Sequence, residues 1–363
     1  MTKSPKVNEE MTQFFTFQKH LCEGLSNLKN YTSQINFLNE QNKNIVNDFF
    51  YSNLFLLYLC TYNKDISQEI RESINHIWED IKLYHYTDSP SLEKIISTET
   101  LKLNNILKMN DSDEGQALVK NISKLFEDDK NLAKINNWMQ KITNIQKNIY
   151  SFSFTTLKDD ASQWDRYGRP KKLPPYGIEH KPSEIEKNPC GICLEISMKN
   201  LLKFVEKNKK DFDLAELTPI LYLQNYNTDN TYLKFIKSII CIRIKKENSN
   251  EVAKYVAYYS SNIKHESFKK EYEVRLLLSL KNEDNKTNIP NYIKQTSNDN
   301  EHHIILNLAE NLPNFSFSDL FSSITFGPGT SKEAERNVED LLSKYNLTSL
   351  LSDDSKHSKC TLR

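Results

Sequence analysis

The strand-like segments of this chain are short and scattered, and the stretches between them vary in length. Strand patterns occur in IKLYHYT from residue 81, at residues 101–104, in YSFSFT at 150–155 and in GICLEI at 191–196. They recur in PILYLQNY at 219–226, FKKEYEVRLLLSL at 268–280, HIILNL at 303–308 and SITF at 323–326. Helical periodicity fills much of the rest, over 115–149, 198–209, 232–263 and 332–345. No regular βαβ alternation develops, so an α+β domain is predicted rather than a doubly wound sheet.

Residues 1–80 differ in character. They contain no Gly or Pro after Gly24, and Phe14, Phe15, Phe17, Leu21 and Leu25 sit at helical spacing, as do Phe49, Phe50, Leu54, Leu57 and Tyr58. The predicted organisation is an N-terminal helical region, 1–80, before an α+β domain, 81–363. No catalytic group stands out in the first part, where His20 and His76 read as surface or capping histidines. A regulatory role is expected there, or association with a partner or a second copy.

Lys+Arg and Asp+Glu are both 48, so no net basic field points to nucleic acid. The six cysteines are scattered and the first ten residues, MTKSPKVNEE, are polar, which reads as a reduced, cytoplasmic protein without a secretory signal. The apolar run at 54–60 is far short of the roughly 20 residues a spanning helix needs, so no membrane segment is expected.

Several local patterns invite chemistry and have plainer readings. Ser89 before Pro90 reads as a helix N-cap. Asn110, Asp111, Asp113 and Glu114 resemble a calcium or magnesium loop, or a metal-dependent nuclease cluster, but lack the EF-hand ligand series; acidic residues are common before helices, and no metal is expected. Cys190 and Cys193 form a CxxC without a second pair, with His180 the nearest further ligand, and read as small strand residues. Six of the seven glycines, at 115, 168, 177, 191, 327 and 329, fall in polar turns, which suggests positions that exclude a side chain. No P-loop or GxGxxG is present.

The stretch from 150 to 196 carries the densest candidate site. Two strands flank Gln163, Trp164, Asp165, Arg166, Tyr167 and Gly168, amphipathic side chains on a connection. His85 alternates with Leu83 and Thr87 on one strand face, opposite Tyr84 and Tyr86. Glu271, Glu273 and Arg275 share a face of FKKEYEVRLL, and an ion pair on a solvated strand is the bland reading. Function would require His85, residues 163–167 and Glu273 to converge from neighbouring strands.

The ordered series LYHYTD, SLEKIISTETLKLNN, MNDSDEG, SFSF, DDASQW, YG, CGICLEI, FKKEYEVRLL and ITFGPGT resembles the family catalogued as domain of unknown function 2971, from about residue 82 to the C-terminus. That family is in turn similar to ADP-ribosyltransferases, with a split β-sheet core and a His–Tyr–Glu-type triad on three strands. The resemblance implies that NAD is the substrate, and that protein, nucleic acid or water is the acceptor in a toxin-like or phage-defence setting. It implies that His85 and Thr87 hold the adenosine ribose and that Trp164 or Tyr167 covers the nicotinamide. Ser151 and Ser153 stand near the expected second-strand motif. Glu273, with Glu271, would lie beneath the reacting ribose and stabilise an oxocarbenium-like cation, with Arg275 nearby. A non-catalytic module binding a nucleotide or a partner through the same cleft is the alternative.

Overall fold

The computed structural model describes residues 82–109, 119, 132–169, 183–223, 249–283, 286–298, 301–308, 317–351 and 356–360. By backbone contacts the chain divides into two compact units, Met1–Ile81 and Lys82–Arg363. The helices expected in 1–80 and the acidic turn at 110–114 lie outside the described residues, as do His180, Gly115 and Gly177.

In chain order the second unit begins β1 (Lys82–Asp88), α1 (Ser89–Thr98), β2 (Thr100–Asn105), α2 (Leu132–Gln146) and β3 (Ile149–Thr155). It continues with α3 (Ala161–Arg166), α4 (Glu184–Lys187), β4 (Gly191–Ser197), α5 (Met198–Asn208), β5 (Phe212–Pro219) and β6 (Leu221–Leu223). Then follow α6 (Ser249–Ser260), β7 (Ile263–His265), β8 (Glu273–Glu283), β9 (Lys286–Asn288), β10 (Ile293–Asn298) and β11 (Glu301–Asn307). The last elements are α7 (Phe317–Leu320), β12 (Phe321–Phe326) and α8 (Lys332–Lys344). The mixed α+β class is as read from the sequence.

Ten strands form one antiparallel sheet that divides at β3. One edge of β3 meets β2 at Tyr150 and Ser151 and β1 at Thr155. From there β2 leads to β11 and β10, and β1 leads to β4 and β12. The other edge of β3 pairs along its whole length with β8, from Ile149↔Ser279 to Thr155↔Glu273, and β5 lies beyond. β6 and β7 form a separate parallel pair.

Directly paired residues point to the same side of a sheet, so the register assigns the faces. One face carries Leu83, Leu103, Phe152, Leu194, Leu276 and Ile304, all buried, and forms the apolar core. The other face carries Tyr84, Tyr86, Ser151, Ser153, Thr155, Thr218, Glu273 and Arg275.

Local chemistry sets the element ends. The N-cap of α1 is Asp88, not Ser89: its carboxylate accepts from the Ser91 N–H at 2.9 Å. Ser89 instead accepts the Cys190 N–H at 3.0 Å, tying α1 to the start of β4. The strand read from Phe268 begins only at Glu273. Residues Glu266–Glu271 form a 3₁₀ turn, and Tyr272 has φ 44°, a left-handed conformation that breaks the extended run. In α8, Ser331 caps the first turn and Ala334, Val338, Leu341 and Leu342 form the buried stripe.

Candidate functional site

Residues 156–169 pack through Trp164 on Tyr84 and Tyr86 of β1 and Cys193 of β4, and the candidate site lies where that segment meets the head of β8. Asp160 caps α3, accepting from the N–H groups of Ser162 at 2.9 Å and Gln163 at 3.1 Å. Its own N–H donates to the Tyr86 hydroxyl at 3.0 Å, and that hydroxyl donates to the Leu157 carbonyl. These bonds fix a six-residue helix too short to be stable by itself.

Trp164 is 1 % exposed, and its socket explains three glycines. A Cβ on Gly168 would stand 2.3 Å from Trp164 Cε3 and one on Gly327 3.0 Å from Cζ3. A Cβ on Gly191 would stand 2.2 Å from the Gly168 carbonyl oxygen. Tyr86 meets the indole edge-on at 4.7 Å, and Cys193 and Tyr84 complete the cluster. Trp164 therefore packs the interior and does not offer a face to nicotinamide, which corrects that expectation. Tyr167, by contrast, is 41 % exposed.

Five charged side chains meet at the head of β8. Arg275, fully buried, donates from Nε to Glu273 Oε1 at 2.7 Å and from Nη2 to Oε2 at 3.0 Å. Its Nη1 donates to the Ser261 carbonyl at 2.9 Å, just past the end of α6, where carbonyls favour a cation. Lys264 bridges the two carboxylates, 2.8 Å from Glu271 Oε2 and 3.2 Å from Glu273 Oε2. Glu271 Oε1 accepts from the Tyr167 hydroxyl at 2.7 Å and from Arg166 at 3.1 Å. Gln163 Nε2 donates to the Lys270 and Glu271 carbonyls, and Thr155 Oγ1 to the Glu271 carbonyl at 2.7 Å.

The electrostatics follow from burial against pairing. Burial pulls the Lys264 ammonium down, but Glu273 and Glu271 outweigh it and hold that group charged, above the usual lysine range. Burial pushes the Glu273 carboxyl up, Lys264 opposes this and Glu271 adds to it. Burial, reinforced by Glu271, raises the Tyr167 phenol, which stays a donor.

The structure thus brings together Glu271, Glu273, Arg275, Tyr167 and, on the adjoining strand opposite Arg275, Ser153. The Ser151 hydroxyl, further along β3, is buried without a hydrogen-bond partner. It does not bring in His85 or Thr87. Tyr84 is in register with Thr155, so His85 and Thr87 point to the opposite face from Glu273. There the His85 ring lies 4.3 Å from Phe152 and 6.4 Å from Phe154, and Nδ1 bonds the Ser153 carbonyl at 2.9 Å. Burial lowers its pKa to about 4, so the ring is neutral with its proton on Nδ1. The expected convergence of His85 and Glu273 is therefore corrected by strand register.

Cys190 and Cys193 are free thiols, buried beside Ser89 and in the Trp164 cluster respectively. Burial pushes the Cys190 thiol up to about 11 and raises Cys193 as well, consistent with packing rather than thiolate chemistry. Sequence reasoning missed Lys264, one lysine among many, and Asp159, whose partners Ser358, Lys359 and Cys360 are remote in the chain. No protein-family profile, curated protein or solved structure matches this chain.

Proposed function

We propose that residues 82–363 form a nucleotide-binding module of ADP-ribosyltransferase-like architecture, related to domain of unknown function 2971, with NAD as the candidate ligand. The architecture is supported by the division of the sheet at β3 and by the adjacency of β1, β3 and β8. The observation that carries the binding reading is Tyr167. Among the described residues the exposed large apolar side chains are Tyr167 and Ile289, and Tyr167 is held by its bond to Glu271. Beside it stands the Arg166 guanidinium, 40 % exposed. A fixed aromatic face next to a planar cationic fork suits a base and a phosphate.

Binding without turnover is favoured over transfer because Glu273 meets both Arg275 and Lys264. A carboxylate already neutralised by buried cations has little field left for a developing oxocarbenium ion. One observation favours the catalytic reading, NAD-dependent ADP-ribosyl transfer or NAD hydrolysis: a second carboxylate, Glu271, lies at the same head of β8, in contact with exposed Tyr167 and Arg166.

Calorimetric titration of the full chain with NAD, together with assay of nicotinamide release, separates the two. Saturable binding lost in Tyr167→Ala and Arg166→Ala, without nicotinamide release, is the expected result. Nicotinamide release abolished by Glu271→Gln establishes the catalytic reading instead. Absence of binding to both NAD and ADP-ribose overturns both.

A further inference from the structure

The segment at residues 356–360 is bound at two ends. Its first part extends the sheet: the Phe326 N–H donates to the Lys356 carbonyl and the Ser358 N–H to the Phe326 carbonyl, both at 2.8 Å. Lys356 pairs with Glu335 at 2.7 Å and with Glu339 at 2.5 Å on α8. Its second part converges on one residue of the loop before α3, Asp159.

Asp159 spends every oxygen on this junction. Oδ1 accepts from Trp164 Nε1 at 2.8 Å and from the Ser358 hydroxyl. Oδ2 accepts from the Lys359 N–H at 2.8 Å, and the backbone carbonyl accepts from Cys360 Sγ at 2.8 Å. Asp159 itself has φ 52°, a left-handed conformation that Asp tolerates when local bonds hold it. Although burial opposes it, these donors hold the carboxyl below the usual range. Cys360 also packs against the cluster of Tyr84, Tyr86, Trp164 and Cys193.

The geometry points to Asp159 as a positioning residue through which the 356–360 strap sets α3, and with it the ligand-facing side chains. The strap fixes Asp159, Asp159 fixes the Trp164 indole, and the indole sits in its glycine socket. Two and three residues along, Arg166 and Tyr167 then reach Glu271. The claim about the ligand rests on the nucleotide-binding reading; the mechanical coupling stands by itself. Displacing the strap would loosen the site without touching a ligand contact.

Hydrogen exchange resolves the amides of Trp164 and Tyr167, which are bonded to Asp160 and Gln163 carbonyls in the full-length protein. Lys359→Pro removes one donor to Asp159 and leaves both bonds to Phe326 in place. We expect exchange in residues 163–167 to quicken at least tenfold in Lys359→Pro and in Asp159→Asn. Exchange in β8 and α8 should stay within twofold, and NAD affinity should fall at least fivefold. If Lys359→Pro does not fold, the Ser358→Ala/Cys360→Ala double variant replaces it in the same measurement. Unchanged exchange at 163–167 overturns the coupling, and so does an equal rise in β8 and α8, which marks a general stabiliser. Wild-type protein that binds no NAD defeats the functional reading alone, since the exchange comparison still decides the coupling.

Discussion

Arg275 and Glu273 stand two residues apart on one strand face and form a two-pronged ion pair, 2.7 and 3.0 Å, with Arg275 fully buried. The alternation that makes them neighbours is visible in the sequence. That the pair is buried, with Arg275 also bonded to the Ser261 carbonyl, and not in solvent is visible only in the fold. Burial changes its meaning: a solvated pair is worth little, whereas a broken buried pair leaves an uncompensated charge.

Glu273→Gln should therefore act on stability. It leaves Arg275 and Lys264 facing a neutral amide, and the loss should be about 3–5 kcal/mol. Urea denaturation measures it. A variant as stable as wild type that has lost NAD turnover would return Glu273 to a catalytic role.

The Trp164 socket makes two glycine substitutions unequal. Gly168→Ala places a Cβ 2.3 Å from the indole and should cost about 3 kcal/mol or more. Gly329→Ala meets nothing within 4 Å and bears only its φ of 74°, about 1–2 kcal/mol. Equal denaturation midpoints for the two variants would contradict the packing described for Trp164.

His85 should leave a mark on acid stability. Its folded pKa is about 4 against an ordinary 6.5, so the unfolded chain takes up the proton first. The contribution is present in full above about pH 6.5 and lost as pH falls toward 4. Stability measured from pH 7 to 4.5 should decline less steeply in His85→Phe than in wild type. Parallel profiles would show that the ring is not buried neutral.

Thiol reactivity should follow exposure. Of Cys190, Cys193 and Cys360, all with pKa values raised by burial, the last is partly exposed and the other two are buried. Brief maleimide labelling with peptide mass analysis should modify Cys360 before Cys190 or Cys193. Early labelling of Cys193 would mean that the cluster around Trp164 opens readily.

Much of the frame was legible in the chain. YSFSFT, GICLEI and the core of EVRLLLSL alternate or run apolar because each has a face in the core, and β3, β4 and β8 form there. The helix read over 332–345 forms at Lys332–Lys344. β5, in FDLAELTP, was not anticipated, since Asp213, Glu216 and Pro219 dilute its strand signal. β9 and β10 were missed for the same reason, their sequences being mostly polar.

The sequence by itself determined which residues alternate, where turns fall and that Glu271, Glu273 and Arg275 are close along the chain. Those are properties of a few adjacent dihedral angles. Only the tertiary structure decided that His85 faces Phe152, that Trp164 is a core residue and that Lys264 bridges the two carboxylates. The first depends on the pairing register between strands distant in sequence, the second on what packs around α3, and the third on where the turn after β7 brings Lys264 back to the head of β8. A single bridge, Tyr84↔Thr155, sets which face of β1 meets which face of β3, and no local pattern encodes it.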